Sequence, residues 1–141
     1  MVTVLDMMKR LEKISVTELA AESIEDTRKD LIEWQQEQLF AGKNSRNRDI
    51  KPPYTRRTKR IKRAKGQPDD RVTLRDKHDF YDAIFVDIRA VTFVISSADW
   101  KTPKLIDKYG KSIFGLGGVF KIGYVNDLRP AMVNNLRKKL L

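Results

Sequence analysis

The chemically most versatile side chains of the chain surround its single histidine. His78 lies among three aspartates in RDKHDFYD, residues 75–82. An Asp–His pair has the groups for acid–base catalysis, and carboxylates with an imidazole are possible ligands of a divalent metal. However, one histidine and Asp76, Asp79 and Asp82 match no known ligand spacing. A polar turn leading into a strand is the simpler interpretation.

The other candidate motif is GLGG, residues 115–118. It lacks the Lys-Ser/Thr pair of a phosphate-binding loop and the strand-then-helix context of a dinucleotide-binding fingerprint. No Gly-x-Ser-x-Gly or His-Glu-x-x-His motif occurs, and the absence of cysteine excludes thiolate zinc sites and thiol nucleophiles. We therefore expect a plain turn at 115–118, no enzymatic activity, no metal site and no cofactor.

The strongest signal in the sequence is positive charge. The stretch TRRTKRIKRAKG, residues 55–66, has seven basic side chains in twelve positions. From Lys43 to Lys65 there are eleven basic residues and one acidic residue, so this segment carries the whole net charge of +10. The remainder of the chain is neutral. The candidate contact residues are Arg56, Arg57, Lys59, Arg60, Lys62, Arg63 and Lys65.

Three interpretations of this stretch remain open. Lys and Arg at this density neutralise phosphates and release counterions, which gives salt-sensitive binding without sequence preference. Tyr54 is the only aromatic residue of 43–70, so the stacking platforms of single-strand binders are missing. On a helix, the charges would surround the cylinder. The stretch is therefore an arm for nucleic acid, an arm for the acidic face of a neighbouring subunit, or a solvated flexible loop.

Helical periodicity precedes the basic stretch. Leu5, Met8 and Leu11 predict a short amphipathic helix over 3–13, and Ser15 with Glu18 forms a capping box. One long helix is then predicted over 16–40. The residues spaced for one face of it are Val16, Leu19, Ala20, Ile24, Thr27, Leu31, Trp34 and Leu39.

Residues 43–70 show no regular pattern and contain the helix-disfavouring pair Pro52-Pro53. Loops of this length are usually functional or disordered. We therefore predict a long basic loop, inserted between the main helix and the sheet, that acts as a flexible arm.

Strand signals follow the loop. A short strand is predicted at 71–74, and a β-hairpin from 80–88 and 91–96 joined at Arg89-Ala90. Both faces of its first strand are partly apolar. We therefore expect the main helix to cover one face and another element or subunit to cover the other.

The C-terminal third predicts a helix over 103–113, a last strand at 119–125 and a terminal helix over 126–141. Trp34 is predicted to lie in the core, and Trp100 to pin the next helix to the sheet. The result is one α+β domain, with a long N-terminal helix and C-terminal helices packed on a small antiparallel sheet.

Membrane and export signals are weak in this sequence. No apolar run approaches the ~18 residues of a membrane span, and the first residues, MVTVLDMMKRLEK, lack the order of a secretory signal. We therefore expect a soluble protein, made in the cytoplasm, with no membrane partner.

The segments VTLRDKHDFYDAIFVDI and VISSADWKTPKLIDKYGKSIFGL, after a basic proline-punctuated loop, resemble a known family. They are similar to tailed-phage virion morphogenesis and tail-completion proteins, the neck or head–tail-joining components, of the type found in phages of Bacteroidetes. That family has a leucine, Asp-Thr-Gly, aromatic motif and then a Tyr/His-Gly segment. The matching residues are Leu74, Asp76, Asp79, Phe80 and Tyr81, then Tyr109 and Gly110, with Lys77 and His78 where Thr-Gly would stand.

The resemblance implies a structural virion protein without catalytic residues, located in the neck or tail region after synthesis in the host cytoplasm. Its implied partners are further copies of itself in a ring, the neighbouring portal, neck and tail proteins, and the packaged double-stranded DNA that crosses the ring. The alternative is a stand-alone nucleic-acid-binding protein without sequence specificity that uses residues 43–66.

Overall fold

The computed structural model describes residues 1–90 and 92–141. Within these ranges it has an α+β fold, as predicted, with helices packed around one antiparallel hairpin. The elements are α1 (Val4–Glu12), α2 (Val16–Asp26), α3 (Arg28–Phe40), α4 (Arg56–Ala64), α5 (Asp79–Asp82), β1 (Ile84–Arg89), β2 (Thr92–Ser97), α6 (Thr102–Tyr109), a 3-10 turn (Lys111–Ile113) and α7 (Gly118–Leu140).

The predicted single helix over 16–40 is wrong, because the chain breaks into α2 and α3 at Thr27. The buried Thr27 hydroxyl donates to the Ser23 carbonyl at 2.8 Å and contacts the Tyr124 hydroxyl at 3.0 Å. A threonine that bonds back to its own helix tends to bend it. The break therefore lets both helices pack against α7.

Helix α7 replaces the last strand predicted at 119–125 and joins it to the predicted terminal helix. At Gly123, an added Cβ would lie 2.4 Å from the Trp34 ring, so only glycine permits this close approach of α7 to α3. Trp34 is half-buried there and donates to Asp127 Oδ2 at 2.7 Å. Tertiary packing therefore overrides a local sequence that is rich in strand-forming residues.

The predicted hairpin is confirmed, although the predicted first residue of its second strand, Val91, lies outside the described residues. Strands β1 and β2 pair antiparallel, with Val86 opposite Ile95. Ile84, Val86 and Ile95 are buried on the face that meets α2 and α3. The opposite face carries Phe85 and Val94, each 43% exposed.

Two predictions for the chain that leads into the hairpin need correction. In the segment 71–74, residues 72–74 are buried and Arg71 is half-buried, but the segment lies outside the sheet. Tyrosine hydroxyls bond the Thr73 backbone where a strand partner would, since Tyr54 accepts from its N–H at 3.1 Å and Tyr81 donates to its carbonyl at 2.6 Å. The first strand of the hairpin was predicted to begin at residue 80, but helix α5 occupies residues 79–82.

The predicted helix over 103–113 also divides, into α6 and the 3-10 turn. Two fully buried side chains of α3, Gln35 and Gln38, hold the chain that follows. Each amide donates to one backbone carbonyl and accepts from one backbone N–H of residues 113–117, at 2.7–3.1 Å. The predicted flexible turn at 115–118 is thus fixed to the core.

Candidate functional site

The basic stretch is a folded helix, which overturns the prediction of an irregular arm over 43–70. Helix α4 follows Pro52-Pro53 and is capped at its N-terminus by Thr55, whose Oγ1 accepts the Thr58 N–H at 3.2 Å. Just beyond its C-terminus, Gly66 has a φ of 69° that glycine adopts without strain. The Gln67 N–H then donates to the Lys62 carbonyl at 2.9 Å. Both ends have the caps of an ordinary helix.

The arginines of α4 lie on one side and its lysines lie on the others. Because successive residues are ~100° apart, Arg56, Arg57, Arg60 and Arg63 lie within about 120° of the circumference, and all four are exposed. Lys62 lies on the opposite side and is buried. The prediction that the charges would surround the helix is therefore wrong for the arginines, which we call the arginine face.

Lys62 anchors α4 to the body of the protein. Its ammonium donates to the Arg75 carbonyl at 2.7 Å and lies 5.5 Å from the centre of the Tyr54 ring. Tyr54 in turn accepts from the Thr73 N–H. This predicted contact residue thus has a structural role and does not face a partner.

Two ion pairs add to this anchor. Arg63 binds Asp69 and Lys65 binds Asp76, each at 2.8 Å. These hydrogen bonds lower the pKa of Asp69 and that of Asp76 below their usual values. A lowered pKa means that the pairs stabilise the folded state above the ordinary Asp pKa, and that this stabilisation is lost as the pH falls through the lowered value.

Four of the seven predicted contact residues keep their charge available. In the part of the chain that the structure describes, no carboxylate lies within ion-pair distance of Arg56, Arg57, Lys59 or Arg60. Arg63 also belongs to the arginine face, but its guanidinium is paired with Asp69. Because α4 is capped and anchored, the backbone that carries these cations has a fixed position.

Replacing Lys62 with methionine should release α4 from the body. Methionine keeps an unbranched apolar chain but removes the donor, which leaves the Arg75 carbonyl unpaired at a cost of ~1–3 kcal/mol. We expect the α4 amides to exchange about 10-fold to 100-fold faster in hydrogen–deuterium exchange. Lys59→Met, on the same helix, is the control. Equal exchange in the two variants would contradict the anchoring role.

A second cationic element lies beside α4. The backbones of Lys43 and Asp49 pair in an isolated antiparallel β-bridge. Between them, the Asn44 side chain accepts from the backbone N–H groups of Arg46 and Arg48 at 2.9 and 3.1 Å. The turn presents both arginines to solvent. It lines an open depression of about 570 Å³ together with Lys51 and Tyr109.

Sequence reasoning missed a third contribution, from α6. Trp100 is 72% exposed, so the prediction that it pins α6 to the sheet is wrong. The ammonium groups of Lys101 and Lys104 lie 5.9 and 5.2 Å from the centre of its ring. Aromatic residues are enriched at binding surfaces, so the tryptophan itself was the available signal in the sequence.

A groove of opposite charge lies along α3. Its volume is about 340 Å³, and its lining is Glu33, Gln36, Glu37, Phe40, Arg75, His78, Tyr81 and Asp82. We call it the acidic groove, because it has three carboxylates and one guanidinium. The guanidinium of Arg75 lies 5.4 Å from the Phe40 ring and 5.8 Å from the Tyr81 ring. Burial raises the pKa of Tyr81, so its hydroxyl stays protonated.

The histidine cluster of the sequence does not assemble into a catalytic unit. Asp76 is bound by Lys65, and the His78 ring is exposed and contacts the Arg75 guanidinium at 3.1 Å. Over residues 1–90 and 92–141, no group of three His, Cys, Asp or Glu side chains is placed to hold a metal ion. The backbone of His78 has a φ of 70°, in the left-handed region that favours glycine.

Comparison of the chain with protein-family models, with curated protein sequences and with solved structures gave no match. None of the helices in the described ranges has the length and apolar character that crossing a membrane requires.

Proposed function

We propose that this chain is a structural subunit of the neck or tail of a tailed phage, which assembles into a ring through contacts between its own copies. The observation that carries the proposal is the backbone at His78. The resembled family has glycine in this turn, and here the turn keeps a positive φ although a histidine occupies it. A non-glycine residue in that region is uncommon, so the turn geometry supports the resemblance beyond the matching letters.

Exposed apolar surface supports an assembly role. Val4, Leu5, Met8 and Leu11 of α1 are between 53% and 74% exposed, and Val119 and Ile122 of α7 are 66% and 61% exposed. Clusters of exposed large apolar side chains usually mark protein–protein contacts. The outer face of the hairpin adds Phe85 and Val94. The sequence predicted that another element or a subunit covers this second sheet face, and its exposure within one chain favours a subunit.

The cationic surface is the polar part of the proposed contacts. Arginine binds carboxylates and phosphates through two parallel hydrogen bonds, which makes it suited to fixed, oriented interfaces. The arginine face is held on a capped helix, so no backbone entropy is lost when it docks and only the arginine side chains must be ordered. In a ring, this surface faces a neighbouring copy, another neck protein or the DNA in the channel.

The test is the mass and shape of the purified chain. We expect light scattering to give several times the 16.4 kDa of one chain, and electron micrographs to show closed rings. Replacing Arg56, Arg57 and Arg60 with serine should shift the protein to the monomer. A matched control replaces the exposed cations Lys77, Lys111 and Arg129 with serine, which changes the net charge equally and leaves the apolar patches intact. A wild-type chain that stays monomeric at all concentrations would refute the proposal.

A second candidate function is nucleic-acid binding without sequence specificity. It is favoured by the exposed Trp100 and its two lysines, of which Lys101 lines the same depression as Lys62 of α4. The same serine variant distinguishes the two functions in fluorescence anisotropy with two unrelated DNA duplexes. If a monomeric wild-type chain binds both duplexes, loses ~10³-fold or more in affinity between 50 and 200 mM salt, and loses binding in the variant, the second function is correct.

A further inference from the structure

The structure shows two surfaces of opposite charge at separate places on one chain. Residues 16–40 contain seven acidic and two basic side chains, whereas residues 43–65 contain eleven basic residues and one acidic residue. The acidic groove belongs mainly to α3, and the arginine face belongs to α4. The chain therefore presents an anionic surface on α3 and a cationic surface on α4.

These surfaces do not meet within one chain. The side of α4 opposite the arginines carries Lys62, which is fixed against Tyr54 and the Arg75 carbonyl. Arg56, Arg57 and Arg60 consequently point away from the body, and the caps at Thr55 and Gly66 hold the helix in this orientation. Pairing of the two surfaces requires a second molecule.

The acidic groove has the chemistry to receive an arginine. Glu37 and Asp82 have no cation within ion-pair distance among the described residues, and Glu33 has only Lys29, at 3.9 Å. Phe40 and Tyr81 also line the groove, but guanidinium groups of the same chain already occupy their rings, Arg71 and Arg75 over Phe40 and Arg75 over Tyr81. An incoming arginine would therefore bind the free carboxylates, by bidentate hydrogen bonds.

We propose that the arginine face of one copy docks in the acidic groove of the next copy, which makes this the head-to-tail interface of the assembly. The inference rests on the proposed function, because it specifies how its subunits join. Two different patches of the same chain form a heterologous contact, and such contacts close into rings when the rotation between copies permits. Charge complementarity of this kind also fixes the register and accelerates encounter.

Charge reversal on each side tests the interface. One variant is Glu33→Lys with Glu37→Lys, and the other is Arg56→Glu with Arg57→Glu and Arg60→Glu. We expect each variant alone to be folded by circular dichroism and monomeric by light scattering, with self-association weakened at least ~100-fold. An equimolar mixture should reassociate, because each reversed surface then meets an opposite charge on the other variant.

The control is Glu22→Lys with Asp107→Lys, which makes the same charge change on exposed carboxylates outside the groove and should leave assembly intact. If the wild-type chain assembles and the groove variant assembles equally well, this interface is wrong, although the proposed function stands. Folded, monomeric variants that fail to reassociate when mixed also overturn the pairing. So does an arginine-face variant that assembles normally but loses binding to a DNA duplex. A wild-type chain that never assembles overturns both proposals.

Discussion

Replacing Gln35 with methionine should lower the free energy of unfolding by ~2–5 kcal/mol, because the buried Ile113 carbonyl and the Gly115 N–H lose the side chain that bonds them. The Gln35 amide donates to the Ile113 carbonyl at 3.1 Å and accepts from the Gly115 N–H at 2.8 Å. The side chain is fully buried. An unpaired buried donor or acceptor costs ~1–3 kcal/mol, which is a large part of the ~5–15 kcal/mol that stabilises a typical domain.

Methionine is chosen since it is unbranched and apolar and adapts to the space of the glutamine. The loss then reports the hydrogen bonds and not a cavity. Chemical denaturation followed by circular dichroism gives the free energy. Lys29→Met is the control on the same helix, where the side chain is 89% exposed, and it should change stability by less than ~0.5 kcal/mol. A Gln35 variant as stable as this control would show that residues 113–117 need no support from α3.

Gln38 extends the same arrangement, since it bonds the Gly115 carbonyl and the Gly117 N–H at 2.7 and 2.9 Å. The two glutamines share Gly115, so their effects should not be additive. If one substitution already frees the 113–117 segment, the second lowers the free energy of unfolding by less than it would alone. The double variant should therefore lose less stability than the sum of the two single losses.

These glutamines show where sequence reasoning stops. Gln35 and Gln38 lie next to Leu31 and Leu39 on the helix, so their burial could be predicted from their place beside an apolar face. Their hydrogen-bond partners could not be predicted. Those partners are backbone groups about eighty residues away, and any segment of chain offers such groups. Periodicity identifies the buried side of a helix but not what that side touches.

The error at α4 has a different cause. The high charge of residues 55–66 suggested disorder, since charge-rich segments bury little apolar surface. Yet the local signals of a helix were present, with a Pro-Pro pair, a Thr-x-x-Thr cap and a glycine stop. The missing element was Lys62, whose burial depends on Tyr54 and on the Arg75 carbonyl. A buried lysine is rare, so composition alone predicted that it faces solvent.

The same limit applies to α7 and to the sheet. The α+β class and the hairpin followed from alternation and from β-branched residues, which are local properties. Whether 119–125 forms a strand or a helix depended on Gly123 meeting Trp34 and on Tyr124 meeting Thr27, which are contacts between distant segments. The cationic charge of the candidate site was local and was predicted. Its division into an arginine face and a lysine anchor depends on tertiary contacts.

Replacing Gly117 with alanine should displace the basic turn at 43–49 and lower the free energy of unfolding by ~2–4 kcal/mol. An added Cβ would lie 2.2 Å from the Ser45 carbonyl oxygen and 2.8 Å from its carbon. Both are backbone atoms, so no side-chain rotation relieves the overlap. Moving the backbone apart to relieve the overlap also strains the hydrogen bond from the Gly117 N–H to the Gln38 side chain. Amide chemical shifts of residues 43–49 should change together with the stability.

Gly66→Ala is the informative comparison, because the two glycines are required for opposite reasons. Gly117 has an ordinary φ of −139° but no space for a side chain, whereas Gly66 has open space but a φ of 69°. Alanine at Gly66 should cost only the ~1–2 kcal/mol of a left-handed backbone and leave the 43–49 amides unchanged. A Gly117 variant with equal stability and unshifted 43–49 resonances would mean that Arg46 and Arg48 are positioned by their own turn alone, without support from the 115–118 segment.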